Sequence, residues 1–485
     1  MGYILGIDQS TQGTKAILTD ADGRMVGRAD RLHRQIINSQ GWVSHDLEEI
    51  YQSVIASAKE VVAQTGIRKE EICAVGISNQ RETTAIWNKQ GQPLNLAVVW
   101  QCARAKEIVH QKNAYAEEIR QKTGLPLSPY FPAAKMAWLL QNTEGLPAPA
   151  EIRLGTIDSW LIYRLTNGTQ WKTDYSNASR TQLFDLHTLQ WSEEICRIFG
   201  IPMECLPTVC DSNSLFGMTD LDGFLPEKVP IHSAMGDSHA ALFGQGCHSR
   251  GMIKTTYGTG SSIMMNTGES CIASRHGLAT SLAWGIDGKV NYVLEGNINY
   301  TGAVITWLKD DLQLIQSPDE TEAAAKAANP QDRTVLVPAF SGLSAPYWND
   351  EAKGMLYGMT RATGRKEIIR AALDSITLQI QAVLDAMSKD SGLSIQELGA
   401  DGGPTHNGYL MQTQSDISRL TVAISDVAEV SALGAAYLAG ISVGLYEKEK
   451  LFAQRARVRY TPKMSEEARQ QKLHDWNRAI ELLSR

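Results

Sequence analysis

The feature that most constrains this chain is a turn that occurs twice. Near the N-terminus the apolar run Tyr3-Ile-Leu-Gly-Ile-Asp8 enters the turn Gln9-Ser-Thr-Gln-Gly13, and Thr14-Lys-Ala-Ile-Leu-Thr19 leaves it. In mid-chain Met252-Ile-Lys-Thr-Thr-Tyr257 enters Gly258-Thr-Gly-Ser-Ser262, and Ile263-Met-Met265 leaves. Each reads as strand, tight turn, strand. Two copies about 250 residues apart predict a duplicated architecture. Helical periodicity over Asp46 to Ala63, Arg365 to Met387 and Ser465 to Leu483 makes the class mixed α/β. The 485 residues suffice for two large domains. The repeated hairpin sets the expected boundary near Gln245 to Arg250, giving domains 1–246 and 247–485.

A turn of glycine and hydroxyl-bearing residues exposes backbone N–H groups at small steric cost, and such a concavity is an anion cradle. The chain as a whole offers an anion no such attraction. Lys and Arg number 46 against 53 Asp and Glu, a net charge of −7, which excludes general binding to nucleic acid or anionic lipid. With 43% hydrophobic and 20% charged residues, the composition is that of a folded globular protein. The 7 cysteines are scattered without zinc-type spacing, so reduced thiols in a cytoplasmic protein are expected. Asp8 interrupts the first apolar run too early for a signal peptide. The charge-free stretch from Val430 to Tyr446 contains Gly434, Gly440 and Gly444 and falls short of the roughly 20 apolar residues of a membrane span. A buried helix is expected there, and no membrane partner.

Asp8 beside the first turn would repel a phosphate unless a cation lay between them, so a phosphate cradle implies Mg²⁺; the alternative is a plain hairpin turn. A P-loop is excluded because Gly403 to Gly408 has the spacing but continues with Tyr409, and no GxGxxG follows a strand. Asp401-Gly-Gly-Pro-Thr-His-Asn407 is either a loop or a place where a flat ring approaches the backbone. Asp237, between a small-residue turn and a buried helical pattern, is either an N-cap or a general base that takes a proton from an alcohol. Arg81 and Glu82, at the end of the apolar strand Ile72 to Ile77, are a surface ion pair or ligand contacts. Trp100 and Tyr130 line that site or fill core. His45, His239 and His406 read as local hydrogen-bonding residues.

Many separated stretches, in order, resemble the FGGY carbohydrate kinases of the actin-like ATPase superfamily, and most of all their glycerol-phosphorylating branch. They include the Asp8 hairpin, Ser78-Asn-Gln-Arg-Glu-Thr-Thr84, Val99-Trp-Gln101, Asn177-Ala-Ser-Arg-Thr181, Gly236-Asp237 and Thr256-Tyr-Gly-Thr-Gly260. Two long family signatures are also matched, Tyr130-Phe-Pro-Ala-Ala-Lys-Met-Ala-Trp138 and the run from Gly354 through Glu367 to Asp374.

The resemblance implies an α/β protein of two ribonuclease-H-like domains flanking a catalytic cleft. It also implies ATP-dependent phosphorylation of a terminal hydroxyl of a small polyol or sugar, with Mg²⁺, in a homo-oligomer (dimer or tetramer). Asp237 matches the catalytic base, and Asp8 and Asp237 match the carboxylates at the metal. Thr11, Thr14 and Lys15 align with the first phosphate turn, and Gly258, Thr259 and Gly260 with the second. Gly402, Gly403 and Asn407 align with the adenine contact, and Gly302 with a nucleotide contact nearby. Arg81, Glu82, Trp100, Tyr130 and Asp237 match the alcohol-binding set.

Three positions depart from the pattern. Lys15 replaces an arginine, so a planar fork becomes a point charge. Ser238 replaces a glutamine and Ser262 a phenylalanine. These two changes open volume and add hydroxyls, and so raise the alternative of a four- or five-carbon polyol or ketose, of erythritol, xylulose or ribulose type. An actin-like ATPase module without sugar transfer would need the hairpins but not the alcohol-binding set.

Overall fold

The computed structural model describes residues 2–425, 429–453 and 457–483. The strands β1 (Tyr3–Gln9), β2 (Gly13–Thr19), β3 (Met25–Leu32), β4 (Ile72–Asn79), β5 (Gly217–Thr219) and β6 (Val229–Gly236) form one sheet, ordered β5-β6-β4-β1-β2-β3. A second sheet is built from β7 (Ile253–Tyr257), β8 (Ser261–Gly268), β9 (Ala279–Ile286), β10 (Lys289–Ile298), β11 (Glu397–Asp401), β12 (Thr421–Ser425) and β13 (Arg457–Tyr460). Its order is β9-β10-β8-β7-β11-β12-β13.

The two sheets share one plan. A central strand, β1 or β7, has its antiparallel hairpin partner and a further antiparallel strand on one side, and two parallel strands on the other. The repeated turn therefore marks a repeated sheet, in a two-domain α/β architecture. The carboxyl ends of the parallel strands, where ligands collect in open α/β sheets, point each hairpin turn toward the same cleft.

Helices cover both sheets. Helix α1 (Leu47–Thr65) buries Ile50, Val54, Ala58 and Val61 at helical spacing. Asp46 caps it by accepting from Glu48 N and Glu49 N, and Gly66 ends it at φ 66°. Later come α2 (Pro132–Asn142), α3 (Asp237–Gly244), α4 (Gly302–Thr306), α5 (Arg365–Ser391), α6 (Gly408–Ser418) and α7 (Val430–Ser442). Helix α5 packs Ile369, Leu373, Ile376 and Ile380 into the core of the second sheet.

The charge-free stretch forms α7, and its residues from Ala432 to Gly440 are buried. It crosses to the first sheet, sharing a core with Ile4, Ile17, Ala74 and Phe243. A Cβ at Gly76 would lie 2.2 Å from the Ala435 carbonyl oxygen, so the strand must be bare there for the helix to seat. Among the described residues no helix is long and apolar enough to cross a membrane. A separate five-stranded sheet, which includes Thr84–Asn88 and Ile152–Thr156, supports the segments carrying Trp100 and Tyr130.

Candidate active site

Three neighbouring parallel strands deliver the acidic and basic groups. In register, Asp8 of β1 lies beside Ser78 of β4, and Ser78 beside Met235 of β6. Arg81 and Glu82 therefore follow the end of β4, and Asp237 follows the end of β6 as the first residue of α3. Gly236 holds the N-cap position, and Asp237, the first residue of α3, accepts from Ser238 N on Oδ1 at 2.5 Å. Arg81 Nε donates to the same oxygen at 3.0 Å, and the Asp237 side chain is 37% exposed.

A cleft of about 810 Å³ joins these groups to the second sheet. Thr11, Arg81, Glu82, Trp100, Tyr130 and Asp237 line one side, and Gly258, Thr259, Gly260 and Ser262 the other. Trp100 Nε1 donates to Thr11 Oγ1 at 2.9 Å, tying an aromatic wall to the first turn. The Trp100 and Tyr130 rings meet edge to face, with centroids 5.6 Å apart. Glu82 is buried, stands at φ 62°, and accepts from Arg180 Nε at 2.6 Å.

The remaining predicted residues sit behind this surface. Asp8 is buried and accepts from Ser78 Oγ at 2.7 Å. Burial pushes its carboxyl up to about 6, against the pull of Lys15 and Ser78 and with help from Asp237 and Glu429. Lys15 faces Asp8 across the hairpin, and its Nζ pairs with Glu429 at 2.8 Å. Thr14 turns away from the cleft, its Oγ1 lying 2.7 Å from Ser53 Oγ on α1.

At the second turn Gly258 N donates to Gly260 O at 2.8 Å, and Gly302 N at the start of α4 donates to Gly258 O at 2.9 Å. A Cβ on Gly302 would come within 2.8 Å of that same oxygen. Gly402, at φ 99°, is pressed on the Tyr257 carbonyl, whereas a Cβ at Gly403 would meet nothing within 4 Å. That leaves an open flat face of the kind a ring could use. Asn407 is otherwise engaged: Oδ1 caps α6 by accepting from Leu410 N, and Nδ2 donates to Thr321 Oγ1 at 2.9 Å.

Sequence reasoning missed Glu295. It is 1% exposed, in the middle of β10, and takes Arg81 Nη2 on Oε1 at 2.9 Å and Arg81 Nη1 on Oε2 at 3.0 Å. Arg180 Nη1 adds a contact at 2.7 Å. Burial opposes its ionisation, but the Arg180 and Arg81 guanidiniums overcome this and hold the carboxyl well below the usual range. Both departing serines join this group, Ser238 Oγ accepting from Arg81 at 3.2 Å and Ser262 Oγ donating to Glu295 at 3.3 Å. The signal available was a single acid inside the apolar run Val293-Leu294-Glu295.

The chain matches the models for the N-terminal domain of the FGGY family of carbohydrate kinases over residues 3–244 and for its C-terminal domain over residues 253–443. It belongs to the FGGY family of carbohydrate kinases. Among curated FGGY relatives, the glycerol kinase of Desulforamulus reducens is 45% identical over 486 residues, spanning 99% of this chain and 97% of the relative. That of Caldanaerobacter subterraneus subsp. tengcongensis is 45% identical, spanning 99% and 98%. Among solved structures, Plasmodium falciparum glycerol kinase with ADP superposes with a TM-score of 0.93 at 36% identity, covering 100% of this chain and 98% of that one. The ligand-bound xylulose kinase from Lactobacillus acidophilus has a TM-score of 0.88 at 22% identity over 99% and 98%, a likeness of fold.

Proposed function

We propose that this FGGY kinase transfers the γ-phosphoryl group of ATP to a terminal hydroxyl of a small polyol, with glycerol the leading substrate. One observation carries the reading: Asp237 stands partly exposed in a cleft shared by both hairpin turns, with one carboxylate oxygen engaged by Arg81. The other oxygen is left to accept a proton. The glycerol kinases at about 45% identity support the alcohol, and the ADP in the structural neighbour supports the nucleotide.

In this mechanism Arg81 and Glu82 hydrogen-bond substrate hydroxyls, while Trp100 and Tyr130 pack the carbon face. Asp237 takes the proton of the terminal hydroxyl. That oxygen bonds to the γ-phosphorus as the bond to the β–γ bridging oxygen breaks, releasing ADP. Backbone N–H groups of both turns, with Thr11, Thr259 and Lys15 nearby, stabilise charge on the phosphoryl oxygens. Lys15 must exchange Glu429 for phosphate to do so. Asp8 and Asp237 would hold Mg²⁺ as hard oxygen donors, Asp8 being a carboxylate whose burial disfavours its bare charge despite Lys15 beside it. When bound there, the ion would neutralise phosphate oxygens. Gly302, Gly402 and Gly403 would flank the nucleotide, with Asn407 shaping the loop as a helix cap. The division into domains 1–246 and 247–485 is proposed from the two hairpin sheets, with α7 returning to the first, and the enzyme is proposed to be a homo-oligomer and, in keeping with its free cysteines, cytoplasmic.

A second reading, a four- or five-carbon alcohol, is favoured by Ser238 and Ser262, both small and both hydrogen-bonded to the Arg81–Glu295 pair. The test is a steady-state panel of glycerol, erythritol, xylulose and ribulose with Mg·ATP. Glycerol leading in kcat/KM supports the first reading and a longer alcohol leading supports the second. No alcohol-stimulated turnover would refute both.

A further inference from the structure

Lys135 lies on the first turn of α2, and its side chain is fully enclosed. A buried ammonium is costly unless each of its hydrogens finds an acceptor. Among the described residues no carboxylate comes within salt-bridge distance of Lys135. Its three donors instead meet three main-chain carbonyls, those of Glu82 at 3.4 Å, Trp100 at 3.2 Å and Tyr130 at closer range. These residues come from three separate segments of the chain, and they are the ones proposed above to face the alcohol.

We infer that Lys135 is a positioning residue that gathers the Glu82, Trp100 and Tyr130 segments into one rigid alcohol-binding wall. The inference rests on the proposed role of that wall. Glu82 is then pinned at both ends, its carboxylate by Arg180 and its carbonyl by Lys135, which holds a left-handed backbone that a glutamate does not favour. Trp100 and Tyr130 are fixed through their backbones, so that their rings keep the edge-to-face contact. The ATP side of the cleft, at Gly258 to Gly260 and Gly402, is not touched by this lysine.

The test compares Lys135→Met, Lys135→Arg and Tyr130→Ala by steady-state kinetics with the best alcohol of the panel, and by hydrogen–deuterium exchange of the full-length protein. Lys135→Met keeps the volume but loses the donors. It should raise the KM for alcohol at least tenfold, leave the KM for ATP within twofold, and speed exchange around residues 82, 100 and 130 only. Lys135→Arg retains donors and charge and should show a smaller rise confined to the alcohol KM; it decides the matter if the methionine variant does not fold. Tyr130→Ala reads the wall itself. If Tyr130→Ala raises the alcohol KM while folded Lys135 variants stay within twofold of wild type, or raise both KM values alike, the inference about Lys135 is wrong. If Tyr130→Ala leaves the alcohol KM unchanged, the wall reading falls, and the inference with it.

Discussion

Arg81 reaches across the cleft to Glu295, bonding both of its carboxylate oxygens at 2.9 and 3.0 Å, while its Nε holds Asp237. One guanidinium from the end of β4 thus orients the proposed base and ties the first sheet to the second. Arg180 completes the neutralisation of Glu295 and reaches Glu82 as well.

Removing the shared carboxylate should therefore be severe. Glu295→Gln leaves two buried guanidiniums facing a neutral amide, and breaking such a pair costs about 3–5 kcal/mol. Urea denaturation should show a loss of that order, with a raised KM for alcohol in whatever fraction stays folded. A loss under about 1 kcal/mol, the range of surface pairs, would mean the network is looser than it looks.

The two glycines beside Tyr257 should part company. Gly402→Ala meets the Tyr257 carbonyl at 2.0 Å with φ at 99°, and should destabilise the fold by about 1–3 kcal/mol or more. Gly403→Ala enters open space and should leave the melting temperature nearly unchanged while raising the KM for ATP. An unaltered ATP KM in Gly403→Ala would remove the adenine from this face.

Rebuilding the large side chains should narrow the substrate range. In Ser238→Gln with Ser262→Phe, kcat/KM for four- and five-carbon alcohols should fall about tenfold or more relative to glycerol, the discrimination a filled pocket supplies. An unchanged ratio across the alcohol panel would show that the two serines do not set substrate length.

Asp158 gives a prediction about stability alone. It is fully buried and accepts from Thr156 and Thr173; burial, then Asp174, pushes its carboxyl up to about 6, against those hydroxyls. A carboxyl raised on folding binds its proton more tightly in the folded state, so stability falls as pH rises from about 4 through 6 and is level above. Asp158→Asn removes this dependence. The stability difference, variant minus wild type, should shift in the variant's favour by about 2–3 kcal/mol between pH 4 and pH 8. A difference independent of pH would contradict it.

What the sequence disclosed follows from which interactions are local. Both hairpins are local: Asp8 and Lys15 are partners across one turn, so glycine, hydroxyl and flanking apolar runs announce the structure. Helix α1 was legible in outline, expected over Asp46 to Ala63 and formed by Leu47–Thr65. Glu295 was not, because its meaning comes from Arg81 and Arg180, far away in the chain and joined to it only by folding. Lys15 and Glu429 are another such pair, closed by α7 crossing to the first sheet. Thr14 shows the same limit: its place in the turn is local, but its hydroxyl lies against Ser53 of α1, a partner that the turn does not announce.

The most direct test of the central claim is Asp237→Asn, which keeps the shape and an acceptor for Arg81 but cannot take the proton. Calorimetric titration with ADP and single-turnover phosphoryl transfer to glycerol should be measured on the same preparation. The expected result is nucleotide affinity within a few-fold of wild type and transfer slowed by about 10²–10⁴-fold. Transfer at close to the wild-type rate would show that Asp237 is not the base.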